Sequence, residues 1–204
     1  MKNLRVLLFL AMLQVCAYAQ GTSSMLTSLI NEGKVSELSG NFSAAEEAYL
    51  SALTIDSTNS DVHVLLGKLY HTTNKYNLAL KELDKALDMN ADNADALFTR
   101  ANINVDLGNN HLAIADYTKC ISLDQSRMEY YMSRGFVSAQ LGLYDDATKD
   151  FAIAIQINNE DAIAYYNFIR VQGAEMLQKN CTYAQQQLGA GNLQAELVAS
   201  TFCF

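Results

Sequence analysis

Apolar residues recur along this chain at helical spacing, in pairs of segments separated by short polar turns. In the clearest stretch, Val62, Leu65, Leu66, Leu69 and Tyr70 follow an i, i+3, i+4, i+7, i+8 pattern, which predicts a helix over Asp61–Thr73. A second amphipathic segment follows over Tyr76–Met89, with Leu80, Leu83, Ala86 and Leu87 on one face. The polar residues Thr73, Asn74 and Lys75 separate the two. Together they predict a helical hairpin.

The hairpin repeats. Written in rows of 34 residues, the chain aligns small residues at Gly33, Gly67, Ala101 and Gly135, and alanines at Ala45, Ala79, Ala113 and Ala147. Bulky residues align at Tyr49, Leu83, Tyr117 and Phe151. A further small column reads Ala52, Ala86, Cys120, Ala154, and an aliphatic one reads Leu53, Leu87, Ile121, Ile155. A fixed period of this length marks a stacked repeat, in which no hairpin can bury its apolar stripe alone. Small residues at matching places allow the two helices of a row to approach closely. Gly40, Gly108 and Gly142 occupy the turns of the other rows, where a left-handed backbone closes a helix without a Cβ clash. The chain contains no proline. Asp56, Asn90, Asp124 and Asn158 stand where each row ends, and such residues stop helices by bonding local backbone groups.

The rows resemble the tetratricopeptide repeat, with Leu26, Ser60, Ala94 and Met128 as first positions. The resemblance implies an all-α, right-handed superhelical solenoid of helical hairpins closed by a C-terminal capping helix. It covers four repeats over residues 26–161, and a degenerate fifth repeat with the cap fills 162–204. In the fifth, Ile169 takes the small column, and Leu193–Phe202 is expected as the last helix. Glu32 and Ser36 make the first helix of the first row the weakest. The family's first helices line a partner-binding groove. Carried onto this chain, that implies Val64, Lys68, Phe98, Asn102, Met132, Phe136, Tyr166 and Arg170 as groove residues. Core packing is the competing reading of the apolar ones. Aromatic anchors with a few polar handles suit an extended peptide or a partner helix. The expected function is therefore non-enzymatic binding of a protein or peptide, with a small ligand or lipid in the same groove as the alternative. Glu129 and Ser133 stand where the chaperone-tail clamp of some relatives needs cations, which argues against that partner class.

Residues 1–19 read as a secretory signal peptide: Lys2 and Arg5, an apolar run from Val6 to Leu13, then Ala17-Tyr18-Ala19 before Gln20. The run is too short to span a membrane. Acylation at Cys16, after a poor lipobox over Leu13–Val15, is the alternative. The expected location is periplasmic or extracellular, with association with the outer membrane as an alternative, and residues 20–25 are expected to be a loose leader. The formal charge of −8 argues against nucleic acid and anionic membrane as partners.

Export would make a disulfide available. Cys181 and Cys203 are expected at the adjoining ends of two antiparallel helical segments and are the expected pair, with free thiols the alternative. Cys120 reads as a small apolar filler. His63, His71 and His111 are expected on the surface or in the groove, not around a metal. Asp88–Asn93 carries oxygen ligands at alternate places but lacks a calcium loop's glycine and final glutamate, so helix-boundary chemistry accounts for it. No catalytic or phosphate-cradling motif is present, and no cofactor is expected.

Overall fold

The computed structural model describes residues 21–158 and helical residues at 167, 170, 171, 173–175, 178 and 179. The signal peptide, Cys16, Tyr166, Cys181, Cys203 and most of the fifth repeat and cap lie outside the described residues. All regular structure among the described residues is α-helix. Helix α1 spans 21–38, α2 Phe42–Ile55, α3 Ser60–Thr72, α4 Tyr76–Met89, α5 Ala94–Asp106, α6 Asn110–Leu123, α7 Met128–Gln140 and α8 Tyr144–Ile157. Three helices begin on the first positions read from the repeat, Ser60, Ala94 and Met128. The leader expected to be loose is instead helical from residue 21. Leu26, Leu29 and Ile30 of α1 pack on the core, and the Thr27 hydroxyl donates to the Ser23 carbonyl at 2.9 Å.

The chain divides into two compact units after Ile103, inside α5. Where each hairpin leans only on its neighbours, a division need not fall between helices. In the first unit the core is built from Tyr49, Val62, Leu66, Leu69, Leu83 and Ile103 around the alanines of α2 and α4. In the second, Tyr117, Val137 and Phe151 are buried with Ala113 and Ala147. All four residues of the alanine column, Ala45, Ala79, Ala113 and Ala147, have no exposed surface.

The glycine column works by contact with the bulky column of the same row. A Cβ at Gly67 would lie 2.6 Å from Leu83 Cγ, and one at Gly135 would lie 3.0 Å from Phe151 Cε1. At Gly33 it would run into the Tyr49 ring. The absent side chain is thus the space that the facing helix fills, as close-packed interiors require.

Both kinds of turn follow from side-chain and backbone chemistry. Inside each hairpin one residue adopts positive φ: Gly40 at 75°, Asn74 at 58°, Gly108 at 76° and Gly142 at 74°. The next amide then reaches back to a carbonyl five residues earlier, as in Lys75 N to Tyr70 O at 2.8 Å and Asn109 N to Asn104 O at 2.7 Å. Asparagine serves at 74 because it tolerates this conformation best after glycine. Between rows, Asp56 Oδ1 accepts from the Thr58 amide at 3.1 Å and hydroxyl at 2.9 Å, and Asp124 repeats this with Ser126. Asn59 and Asn93 then cap the next helices, accepting from the amides of Val62 and Ala96. The Asp88–Asn93 stretch is such a boundary: Asn90 Oδ1 accepts from the Asp92 amide at 3.1 Å.

Candidate partner-binding face

The first helices of the rows, α3, α5 and α7, carry most of the residues expected to meet a partner. They differ in what they are free to do. Val64 of α3 is buried and belongs to the core of the first unit, so its apolar surface is already used. Lys68, one turn on, is half-exposed and donates to Asp95 of α5 at 2.9 Å. The pair sits at the surface, where such bonds contribute little and exchange readily with another carboxylate. Phe98 and Asn102 of α5 are half-buried.

The second unit holds the more open arrangement. Met132 is partly buried against Ala147, Phe151 and Val171. Phe136, one turn further along α7, is 46 % exposed. Beside it lies a recess of about 170 Å³. Ala139 and Gln140 of α7, Tyr144 and Phe151 of α8, and the helical residues Asn167, Arg170 and Val171 line it with Phe136. Arg170 is exposed. The structure therefore brings Phe136 and Arg170 to one recess, with Met132 packed close by. Val64, Lys68, Phe98 and Asn102 belong to the other unit.

A wider cleft of about 400 Å³ opens between α6 and α8 over Arg134 and Ser138 of α7. Its charges are already matched. Arg134 donates through Nε and Nη2 to both oxygens of Asp150, at 2.9 and 2.7 Å, and through Nη1 to the Thr118 hydroxyl at 3.0 Å. Lys149 pairs with Asp146 at 3.0 Å.

Two polar ties, the first of them built on a buried histidine, escaped the sequence reading. His63, expected on the surface or in the groove, is 4 % exposed. Its Nδ1 lies 2.7 Å from Glu82 Oε2 and its Nε2 lies 3.3 Å from the Ser57 carbonyl. Lys85 donates to the other oxygen of Glu82 at 2.9 Å. Burial pushes the Glu82 carboxyl up, but the hydrogen bonds from Lys85 and His63 outweigh it and hold the group below the usual carboxylate range. The second tie joins α2 to α3 and the following turn. Glu46 accepts from the Tyr70 hydroxyl at 2.8 Å and from Lys75 at 2.9 Å, and Lys75 stands over the Tyr70 ring. The Lys75 bond is the main cause of the lowered Glu46 carboxyl. A signal for the first tie was present in the chain. Glu82, Asp116 and Asp150 form an acidic column immediately before the bulky one, and Asp116 and Asp150 are buried as well.

Comparison with known sequences finds a match for part of these rows. The tetratricopeptide repeat family matches over residues 38–97 and again over 94–127. Solved structures extend the likeness of fold over most of the chain. Pseudomonas aeruginosa pilF is 17 % identical, with a TM-score of 0.70 over 89 % of this chain and 90 % of that one. YrrB, described as a tetratricopeptide protein with an unusual peptide-binding site, is 22 % identical, with a TM-score of 0.60 over 86 % and 84 %. The first repeat domain of Spaghetti (RPAP3), bound to an HSP90 peptide, is 23 % identical, with a TM-score of 0.55 over 58 % and 94 %. No curated protein sequence matches the chain.

Tetratricopeptide folds are typically interaction scaffolds that bind proteins or peptides. Among the described residues, no group of three or more His, Cys, Asp or Glu is placed to hold a metal ion. No helix among them is long and apolar enough to cross a membrane.

Proposed function

We propose that this chain is an exported, non-enzymatic adaptor of a bacterial envelope, holding a protein or peptide partner on the exposed faces of its first helices. The observation that carries the reading is Phe136. A nearly half-exposed aromatic side chain beside an apolar recess is the kind of anchor from which interfaces draw most of their energy. The family match over residues 38–127 and the peptide-binding neighbours support the class of partner. The recess of about 170 Å³ is smaller than the roughly 300–1,000 Å³ of small-molecule sites, so the alternative of a small ligand or lipid draws no support from it. Export rests on the Lys2–Ala19 pattern, and a mature chain beginning at Gln20 is its expected mass-spectrometric signature.

The test is photo-cross-linking in the native cells, with p-benzoylphenylalanine placed at Phe136 and, as a control, at Lys149 on α8, whose side chain is 71 % exposed. A discrete partner band from position 136 and none from 149 is expected. Equal labelling from both positions, or none from 136, would sink the proposal.

A further inference from the structure

We infer that the cleft over Arg134 is a binding site for a small, neutral, planar aromatic molecule, stacked on the Arg134 guanidinium between α6 and α8. The site is separate from the recess beside Phe136 and does not rest on the adaptor reading. Arg134 and Phe136 stand two residues apart on α7, about 200° around the helix, so they serve opposite sides of it.

Three observations carry the inference. The first is size. At about 400 Å³ the cleft falls within the roughly 300–1,000 Å³ of small-molecule sites, which the recess does not reach. All of its lining residues belong to the second unit. The second is the state of the guanidinium. Asp150, 3 % exposed, accepts from Nε and Nη2, and the Thr118 hydroxyl accepts from Nη1. Each of the three nitrogens already donates in the plane of the group. The guanidinium is therefore fixed and flat, and what it chiefly offers an incoming molecule is its face. Such a face stacks on aromatic rings. Burying a carboxylate to hold an arginine costs free energy that the pair seldom recovers as stability. Holding a flat platform ready beside a cleft gives that arrangement a use.

The third observation is the balance of charge and the walls. Arg134 is matched by Asp150, and Lys149 by Asp146, so the lining carries no net charge. One repeat earlier Arg100 donates to Asp84, and Thr118 stands in that aspartate's column. An aspartate at 118 would make the lining negative; threonine keeps it neutral. Neither an anion nor a cation is favoured there. Ile114, Ile153 and the half-exposed Leu143 supply aliphatic walls that favour an apolar ring.

The test is two-dimensional NMR of the full chain titrated with indole, with cyclohexanol as a non-planar control and indole-3-acetate as a charged one. The Arg134 Nε–H, held by Asp150, gives a resonance of its own, and a ring over the guanidinium shifts it upfield. Indole should produce a saturable upfield shift and cyclohexanol none, and indole-3-acetate should bind no more tightly than indole. Leu143→Ser removes one wall while placing a favoured capping residue before α8, so the fold stands. It should weaken indole binding about five- to tenfold, the scale of half a leucine side chain's burial. Arg134→Lys keeps a cation for Asp150 without the plane and should abolish the binding, followed through the Ser138 amide; if that variant does not fold, Leu143→Ser decides. No shift from indole up to its solubility, an equal shift from cyclohexanol, tighter binding of indole-3-acetate, or an unchanged affinity in Leu143→Ser would overturn the inference. None of these results bears on cross-linking from position 136, so the adaptor reading stands or falls apart from them.

Discussion

The contact of Gly67 with Leu83 can be tested by asking whether one mutation changes sign in two backgrounds. In the native chain a methyl group at position 67 would come within 2.6 Å of Leu83 Cγ and 2.7 Å of Cδ2. Ordinary contact begins near 3.4 Å, and Leu83 has no exposed surface into which it could retreat. Overpacking of this kind costs about 1–3 kcal/mol. Replacing a mid-helix glycine by alanine returns about 1 kcal/mol through backbone entropy and helix propensity. Gly67→Ala alone should therefore destabilise by about 0–2 kcal/mol. Leu83→Ala alone empties the site and should cost about 2–5 kcal/mol. With Leu83 gone, the methyl at 67 meets no obstacle. Gly67→Ala should then stabilise the Leu83→Ala protein by about 0.5–1 kcal/mol. The coupling, read from urea unfolding followed by helical circular dichroism, should fall at about 1–3 kcal/mol. Additive effects, with Gly67→Ala acting alike in both proteins, would show that the glycine is not there to admit the leucine.

Two further predictions concern the turn and the partly buried carboxylate of Glu82. Asn74→Ala places an ordinary side chain at a φ of 58° and should cost about 1–2 kcal/mol, whereas Asn74→Gly should be neutral or better; equal melting temperatures for the two variants would refute the conformational account. Glu82 keeps a lowered carboxyl, so its ionised form adds stability that is present above the usual carboxylate range and is lost as pH falls through the lowered value. Glu82→Gln should therefore flatten the acid limb of stability against pH, measured as the urea midpoint; an unchanged slope below the usual carboxylate range would remove Glu82 from the acid response.

Much of the fold was legible because backbone geometry demands particular residue types at particular intervals. Gly33, Gly67 and Gly135 announced the close approach, and Gly40, Gly108 and Gly142 announced the turns. Asn74 could be placed among them because the columns on either side were already in register. Asp56 and Asp124 signalled a helix end without proline, and their bonds to Thr58 and Ser126 account for it. Side-chain pairing was less legible. His63 lies nineteen residues from Glu82, on a different helix, and nothing in the spacing of one residue shows which way a ring will turn. The acidic column of Glu82, Asp116 and Asp150 was visible, but its burial was not, because charge ordinarily marks a solvated face. Of the face expected to meet a partner, Val64 went to the core for the same reason. An aliphatic side chain at a position shared by groove and core has no polar atom to declare its side.

The ends of a row meet. Asn93, the last residue of the second repeat, donates from its side-chain amide to the hydroxyl of Ser60, the first, at 3.3 Å. A segment that starts and finishes close together can be copied or deleted as a unit, provided the same boundary chemistry closes it. Such a chain can change its length in whole repeats by duplication at the level of the gene, and lengthen the surface it offers a partner without redesigning any single joint.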